Sequence, residues 1–187
     1  MKRFFAIALS ALMLLGMFAG CGKSAAPTET TETTETTEAA KQPLTDSLDA
    51  IIEKIYAESP TEIAVMNQIL ELSDTSEDGL WLLKSSTGLD SAEEISEAAV
   101  SEAMIGSIPY SMVLVRVKDA ANAKAVAEKM KEGIDPRKWI CVEADDMQVS
   151  GYCDVVMLVM IGSGNGSAQS FTDGFAKVAG GQLDFTI

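Results

Sequence analysis

Several parts of the chain carry hydrophobic residues at the three- and four-residue spacing of an amphipathic helix. Polar residues that commonly start helices precede these segments, and glycine or proline often follows them. The first predicted helix contains Leu48, Ile51, Ile52 and Ile55 and stops at Ser59–Pro60, and a weaker one covers Thr61–Leu72. A third follows Asp74–Glu77 and ends near Gly88. The last two are Ala121–Glu132, with Gly133 as its C-terminal cap, and Ala168–Val178.

Other segments have the shorter period of β-strands. Val113, Val115 and Val117 alternate along Met112–Lys118, and Trp139–Ala144 forms a second candidate strand. Val155–Ile161 is wholly apolar, which is typical of a central strand. Together these elements predict an α+β domain with a three- to four-stranded, mostly antiparallel sheet and helices packed on one face.

Ser91–Ile105 admits two interpretations. Asp90 and Glu93 are suited to the start of a helix, and alanine and glutamate favour helix. The same segment also fits an edge strand, because Ala98, Val100 and Met104 alternate with more polar positions.

The N-terminal residues have the layout of an export signal. Lys2 and Arg3 precede Phe4–Ala19, a stretch of sixteen residues without a charge. This stretch is short for a membrane-spanning helix, which needs about 20 apolar residues. It ends in Ala19, Gly20 and Cys21, which resemble a bacterial lipobox, the motif in which the cysteine receives diacylglycerol before cleavage. The sequence therefore predicts a lipoprotein signal peptide over residues 1–20 and lipid attachment at Cys21.

A polar segment follows the predicted lipid anchor. Gly22–Pro43 contains no Val, Ile, Leu, Met or aromatic residue, and its centre at Thr28–Glu38 repeats threonine and glutamate. Because such a segment buries nothing that offsets its ordering entropy, we expect it to be disordered. The predicted organisation is thus a signal peptide (1–20), a lipidated cysteine with a Thr/Glu-rich linker (21–43) and one α+β domain (44–187).

Composition excludes several classes of protein. The 187 residues include 14 basic and 28 acidic side chains, which gives a net charge of −14, and there is no histidine. Nucleic-acid binding needs clustered cations and is not expected. The lack of histidine removes Ser-His-Asp and Cys-His nucleophiles and every histidine-ligated zinc site. Basic residues are concentrated in Arg116–Lys138, which holds 7 basic and 4 acidic residues. This segment could form a weakly basic face or an ordinary surface of mixed charge, and the sequence leaves both interpretations open.

Two motifs are weak matches to ligand-binding loops. Gly162–Gly166 lies between a predicted strand and a predicted helix, as a phosphate-binding loop would, but Ser167 stands where the third glycine belongs. Asp74–Gly79 matches the first half of an EF-hand loop, but Ser85 occupies the position of the bidentate glutamate. We interpret the first as a flexible turn and the second as a helix start, and we predict no cofactor and no metal.

Two further sets of side chains are candidates for chemistry. The carboxylates that cluster in sequence are Glu143, Asp145, Asp146 and Asp154, and paired carboxylates are what glycan hydrolysis uses. Cys141 and Cys153 are left after lipidation. A hairpin centred on Met147 would place the two cysteines opposite each other within disulfide distance. A disulfide and two buried free thiols are both open alternatives.

The chain also resembles a family of uncharacterised lipoproteins from clostridia and their relatives. The resemblance covers roughly Ser76–Ile161 and rests on strand and turn patterns at Gly88–Asp90, Tyr110–Asp119, Asp135–Val142 and Asp154–Met160. It implies that Ser91–Ile105 is a strand paired with Met112–Lys118. The family is known as a domain of unknown function, so the resemblance supplies no catalytic residues.

These observations predict a non-catalytic domain anchored by lipid on the outer face of the cytoplasmic membrane. Its expected partners are the membrane itself and an envelope protein or cell-wall component. The alternatives are a cell-wall hydrolase that uses carboxylates and a small solute-binding lipoprotein, for which 144 residues are few.

Overall fold

The computed structural model describes residues 41–187. The predicted signal peptide, Cys21 and most of the predicted linker lie outside this range. The elements in chain order are α1 (Leu48–Glu58), β1 (Val65–Ile69), α2 (Glu77–Thr87), β2 (Ile95–Ala103), β3 (Tyr110–Val117), α3 (Ala123–Gly133), β4 (Asp146–Tyr152), β5 (Val155–Ile161), α4 (Ala168–Val178) and β6 (Phe185–Thr186). None of the helices in the described range has the length and apolarity needed to cross a membrane.

The strands form one antiparallel sheet in the order β1-β2-β3-β5-β4-β6. The predicted α+β class and antiparallel sheet are confirmed. The predicted number of three to four strands is wrong, because the sheet has six. Of the two interpretations of Ser91–Ile105, the strand is confirmed, because this segment contains β2. β2 pairs with β3, with Glu102 opposite Ser111 at one end and Ile95 opposite Val117 at the other.

The prediction that helices cover one face is also wrong, and β5 gives the physical reason. All seven of its side chains are buried, and successive side chains of a strand point to opposite faces. Val156, Leu158 and Met160 pack under α2 and α3, whereas the other four side chains pack under α1 and α4. A strand that is apolar on both faces must be covered on both faces.

Two predicted elements are wrong. Thr61–Leu72, predicted as a helix, contains β1, an edge strand in which only Val65 is partly covered. Because both faces of this edge are exposed, its residues lack the alternation that would mark a strand. Trp139–Ala144, predicted as a strand, is a loop in which Ile140 is fully exposed. The strand that pairs with β5 begins only at Asp146.

The four helices lie close to their predicted places, and α4 has the predicted bounds. Ser76 caps α2 by accepting a hydrogen bond from the Gly79 N–H, and Gly88 ends it with a φ of 80°. α3 ends one residue later than predicted, with Ile134 rather than Gly133 as its cap.

A buried polar network lies on the α1/α4 face of the sheet. The hydroxyl of Tyr56 is 2.8 Å from the hydroxyl of Tyr110 and 2.7 Å from Ser101 Oγ. The ring of Phe171 contacts both tyrosine rings. Burial raises the pKa of both phenols, so the network stays neutral and joins α1 to the two strands below it.

One arginine fixes the chain where it enters α1. The guanidinium of Arg116 on β3 donates to the carbonyl of Leu44 at 2.8 Å and to that of Asp46 at 2.7 Å. It also pairs with the carboxylates of Asp154 and Glu97. Since the Arg116 side chain is only 14% exposed, these hydrogen bonds tie the start of the folded unit to its central strands.

The hairpin between β4 and β5 is not centred on Met147, because β4 turns into β5 at Cys153 and Asp154. Cys153 therefore lies in the turn and Cys141 in an exposed loop, and both are free thiols. Cys153 is the one non-glycine residue in the described range with a positive φ, at 52°. A two-residue hairpin turn with positive φ at its first central position favours glycine there.

We expect Cys153→Gly to be more stable than Cys153→Ala by about 1 kcal/mol, because glycine adopts positive φ without the steric strain of a Cβ. Urea unfolding of the two variants measures the difference. Both variants lack the thiol, so the difference in their stability reports the strain that a Cβ causes at this positive φ. Equal stability, or a more stable alanine variant, would show that the turn is unstrained.

Candidate functional site

The glycine-rich loop Gly162–Gly166 follows β5 and precedes α4, as predicted. This loop and the first residue of α4 donate hydrogen bonds to two aspartates of the same chain. Asp145 accepts hydrogen bonds from the Ser163 N–H at 2.6 Å and the Ser163 hydroxyl at 2.7 Å, and these hydrogen bonds lower the pKa of Asp145. Asp146 accepts from the Ala168 N–H at 2.8 Å, at the first residue of α4. A carboxylate thus fills the place that a phosphate would take at this helix.

The half EF-hand sequence forms the start of α2. Asp74 Oδ1 accepts a hydrogen bond from the Ser76 N–H at 2.9 Å, and Ser76 Oγ accepts from the Gly79 N–H at 3.1 Å. Hydrogen bonding by the Ser76 side chain and backbone lowers the pKa of Asp74. Within residues 41–187, no group of three or more acidic, cysteine or histidine side chains is arranged to hold a metal ion.

The clustered carboxylates are separated in the structure. Glu143 pairs with Arg137 at 2.7 Å, and Asp145 and Asp146 hold the start of α4. Asp154 lies beyond the other end of β4, about 20 Å away along the strand, given a rise of about 3.4 Å per residue, and pairs with Arg116. The structure does not bring Asp154 together with Asp145 as a pair for acid and base catalysis.

Cys153 does not lie in a setting that activates a thiol. Burial raises the pKa of Cys153, and the neighbouring carboxylates of Asp184 and Asp154 raise it further. A reactive cysteine needs the opposite, a lowered pKa beside cationic groups or a helix N-terminus.

A cleft that the sequence did not reveal lies between α2 and the segment that follows α3. It has a volume of about 380 Å³, within the range of small-molecule sites. Its lining contains one aromatic ring, three cations and a single carboxylate: Trp81, Lys84, Ser85, Gly133, Asp135, Arg137 and Lys138. Cations thus outnumber carboxylates in this lining by three to one, in a chain whose net charge is −14.

The amphipathic pattern of α2 places Trp81 at the cleft. Leu80, Trp81, Leu82 and Leu83 are consecutive, and consecutive helical residues are about 100° apart, so they cannot all face the core. Leu83 is buried, whereas Trp81 is 70% exposed. An apolar run too wide for one helix face was the signal in the sequence that an aromatic ring would be left outside.

Close contact between two glycines fixes the inner wall of the cleft. A Cβ built on Gly133 would lie 2.0 Å from the carbonyl oxygen of Gly88, and one on Gly88 would lie 2.4 Å from the carbonyl of Met130. The ends of α2 and α3 therefore meet backbone to backbone. This contact explains why glycine stands at position 133, which is not the cap of α3.

Lys138 is the anchored cation of the cleft. Its side chain is only 13% exposed, and Nζ donates to the Glu102 carboxylate, to Ser111 Oγ at 3.1 Å and to the Ser85 carbonyl at 3.4 Å. Ser111 Oγ in turn donates to Glu102 at 3.2 Å. An ammonium group has three donors, and all three are used. These contacts hold the Lys138 ammonium group between β2, β3 and α2, with Glu102 as its charged partner.

The other two cations are more exposed than Lys138. The Lys84 side chain is 56% exposed and pairs with Asp90, and Arg137 is 76% exposed and pairs with Glu143. Exposed ion pairs of this kind contribute about 0–1 kcal/mol. An anion that enters the cleft can therefore compete for both cations.

Comparisons with protein-family models, with curated proteins and with solved structures found no match for this chain. The resemblance to clostridial lipoproteins therefore stays a prediction. The assignment of this cleft as the candidate site rests on its geometry alone.

We expect Glu102→Gln to lower the free energy of unfolding by about 1–2 kcal/mol, because it leaves the poorly exposed Lys138 ammonium without its charged acceptor. The matched control is Glu94→Gln, which removes the partner of Lys129 from a pair exposed on both sides. The control is expected to change stability by less than about 0.5 kcal/mol. Urea unfolding measures both, and equal effects would mean that Lys138 is not anchored by this contact.

Proposed function

We propose that the protein is a lipid-anchored lipoprotein of the outer face of the cytoplasmic membrane, and that its folded domain is a non-catalytic module that binds an anionic component of the envelope. The apolar stretch before Cys21 and the small residues beside it support the anchor. The linker over residues 21–43 holds the domain away from the lipid surface. As a flexible coil, the 22 residues Gly22–Pro43 would reach on average about 26 Å.

The observation that carries the proposed binding function is the composition of the cleft. Three cations and an exposed tryptophan converge on one cavity. Over the whole chain, acidic side chains outnumber basic ones two to one. A cationic cleft on an acidic protein favours anionic ligands locally.

The residue types indicate the chemistry of the ligand. Arginine binds carboxylate and phosphate groups with two parallel hydrogen bonds, and Arg137 lies on the outer part of the cleft with Lys84. The exposed face of Trp81 packs against a flat or ring-shaped group. The ligand class that fits is a chain of alternating anionic and apolar or sugar units, which is how acidic envelope polymers are built.

The anchored groups make the cleft a preformed site. Lys138 is fixed by three hydrogen bonds, and the glycine contact between Gly88 and Gly133 fixes the spacing of the helices. A preformed site loses less conformational entropy when it binds. Lys84 and Arg137 then adjust to the charges of the ligand.

The anchor is tested with Cys21→Ala. We expect this variant to leave the membrane fraction or to accumulate unprocessed, because one covalent lipid group with two or more acyl chains provides the stable attachment. Cys141→Ala is the matched control and should remain in the membrane fraction. Mass spectrometry of wild-type protein that found residues 1–20 intact and Cys21 unmodified would overturn the proposed anchor.

The cleft is tested by titrating the full chain with a glycerol-phosphate oligomer while tryptophan fluorescence is recorded. In a Trp139→Phe background, which leaves Trp81 as the single tryptophan of the chain, we expect saturable quenching that weakens as salt is added. Arg137→Gln and Lys84→Gln should each lower the affinity about tenfold, since a charge-assisted hydrogen bond contributes about 1.4 kcal/mol. Lys124→Gln removes the same charge from the exposed face of α3 and should leave the affinity unchanged.

Two outcomes would contradict the cleft assignment. The first is quenching that Lys124→Gln reduces as much as Arg137→Gln does, which would indicate binding by overall charge. The second is binding of a neutral chito-oligosaccharide with an affinity equal to that of the anionic probe. That result would mean that Trp81 binds sugar rings and that the cations do not contribute to affinity.

A further inference from the structure

A second cavity lies beside the first turns of α2. It has a volume of about 330 Å³, within the range of small-molecule sites. Three segments of the chain form it: the loop after β1 at residues 71–75, α2 itself, and the turn before β2 at residues 91–93. Its lining shares no residue with that of the cationic cleft. The two cavities are therefore separate candidate sites.

Four side chains give this cavity an apolar surface. Leu83 is buried, Leu72 and Ala92 are partly buried against the core, and Leu80 is 41% exposed. Leu80 belongs to the apolar run of α2 that is too wide for one helix face. The run thus leaves Trp81 in the cleft and Leu80 in this second cavity. Burial of this surface by an apolar ligand group is favourable.

The charged side chains in the lining are all carboxylates, namely Glu71, Asp74 and Glu93, and the lining holds no lysine or arginine. Hydrogen bonds from Ser73 lower the pKa of Glu71, and hydrogen bonds from Ser76 lower the pKa of Asp74. Both carboxylates are therefore ionised at neutral pH. The cavity combines an apolar surface with negative charge.

Contacts within the chain hold the walls of the cavity in place. Lys118 Nζ donates to the backbone carbonyl of Glu93 at 2.8 Å, which fixes the turn before β2. A Cβ built on Gly79 would lie 2.5 Å from Cγ of Asp74, so the loop after β1 packs directly on the backbone of α2. Asp74 and Gly79 come from the half EF-hand sequence, which here forms a wall. A site that is formed before binding loses less conformational entropy.

We propose that this cavity binds an organic cation, a protonated amine carried on an apolar chain or ring. The ammonium group lies among the three carboxylates, and the apolar group packs against Leu80 and Leu83. The lining holds no cation that competes for the carboxylates, and the net charge of −14 attracts cations and repels anions. A bare metal ion would gain nothing from the leucines, and no cluster of three ligating side chains within residues 41–187 could hold one.

The ligand class is tested on the full chain with three probes of similar shape, octylammonium, octanol and octanoate. Methyl NMR spectra of the leucine-labelled protein report binding at Leu80 and Leu83. We expect saturable shifts of both residues with octylammonium, an affinity for octanol at least about fivefold lower, and no binding of octanoate. Equal affinities for octylammonium and octanol would overturn the proposal, and so would the absence of saturable shifts with octylammonium.

Two variants at exposed positions test the two parts of the site. Glu93→Gln should weaken octylammonium binding about threefold, because the lost ion pair is partly screened by water, and should leave octanol binding unchanged. Leu80→Gln should weaken the binding of both probes, because it removes apolar surface, with Leu83 as the reporter. Glu128→Gln removes the same charge from the exposed face of α3 and should change neither affinity.

Two results with these variants would overturn the proposal. If Glu128→Gln weakened octylammonium binding as much as Glu93→Gln does, the probe would be responding to the overall charge of the protein. If Glu93→Gln weakened octanol binding as much as octylammonium binding, Glu93 would shape the cavity rather than attract a cation.

Discussion

The two-faced burial of the central strands is the constraint on which the rest of the fold depends. Val155–Ile161 carries no polar side chain, and all seven residues are buried. Because alternate side chains leave a strand on opposite sides, this sequence can be desolvated only between two layers. The chain meets the requirement with one pair of helices on each face, and three of the four helices bury at least four residues. α2 is the exception, since only part of its apolar run reaches the core.

The two layers are closed in different ways, and that difference produces the candidate site. On one face α1 and α4 contact each other over a tyrosine network and the packed ring of Phe171. On the other face α2 and α3 meet mainly at one backbone contact between Gly88 and Gly133. Beside that contact, the segment after α3 contributes Arg137 and Lys138 to the lining of the cleft. The cleft is thus a consequence of how the second layer is closed.

The parts of the fold that the sequence could predict are those set by local spacing. The apolar stripes of α1 and α4 and the uninterrupted run of β5 specify their elements without reference to the rest of the chain. β1 was missed because an edge strand exposed on both faces leaves no alternation. The hairpin centre was misplaced because register depends on which residues the neighbouring strand offers. The cleft could not be predicted, since Trp81 and Lys138 are 57 positions apart and are brought to one cavity by tertiary contacts, which include Gly88 with Gly133 and Lys138 with the Ser85 carbonyl.

Charge limits where an anionic ligand can bind to this protein. Acidic residues dominate the chain, and a large net charge of one sign keeps molecules apart and excludes ligands of the same sign. On such a surface, an acidic partner is expected to bind where the negative charge is locally absent or reversed. Beside Trp81, three cations and one carboxylate line one cavity, and an anionic ligand there would compete with Asp90 and Glu143 for the exposed cations Lys84 and Arg137. We therefore expect an anionic ligand to bind at this cavity rather than elsewhere on the acidic surface that residues 41–187 present.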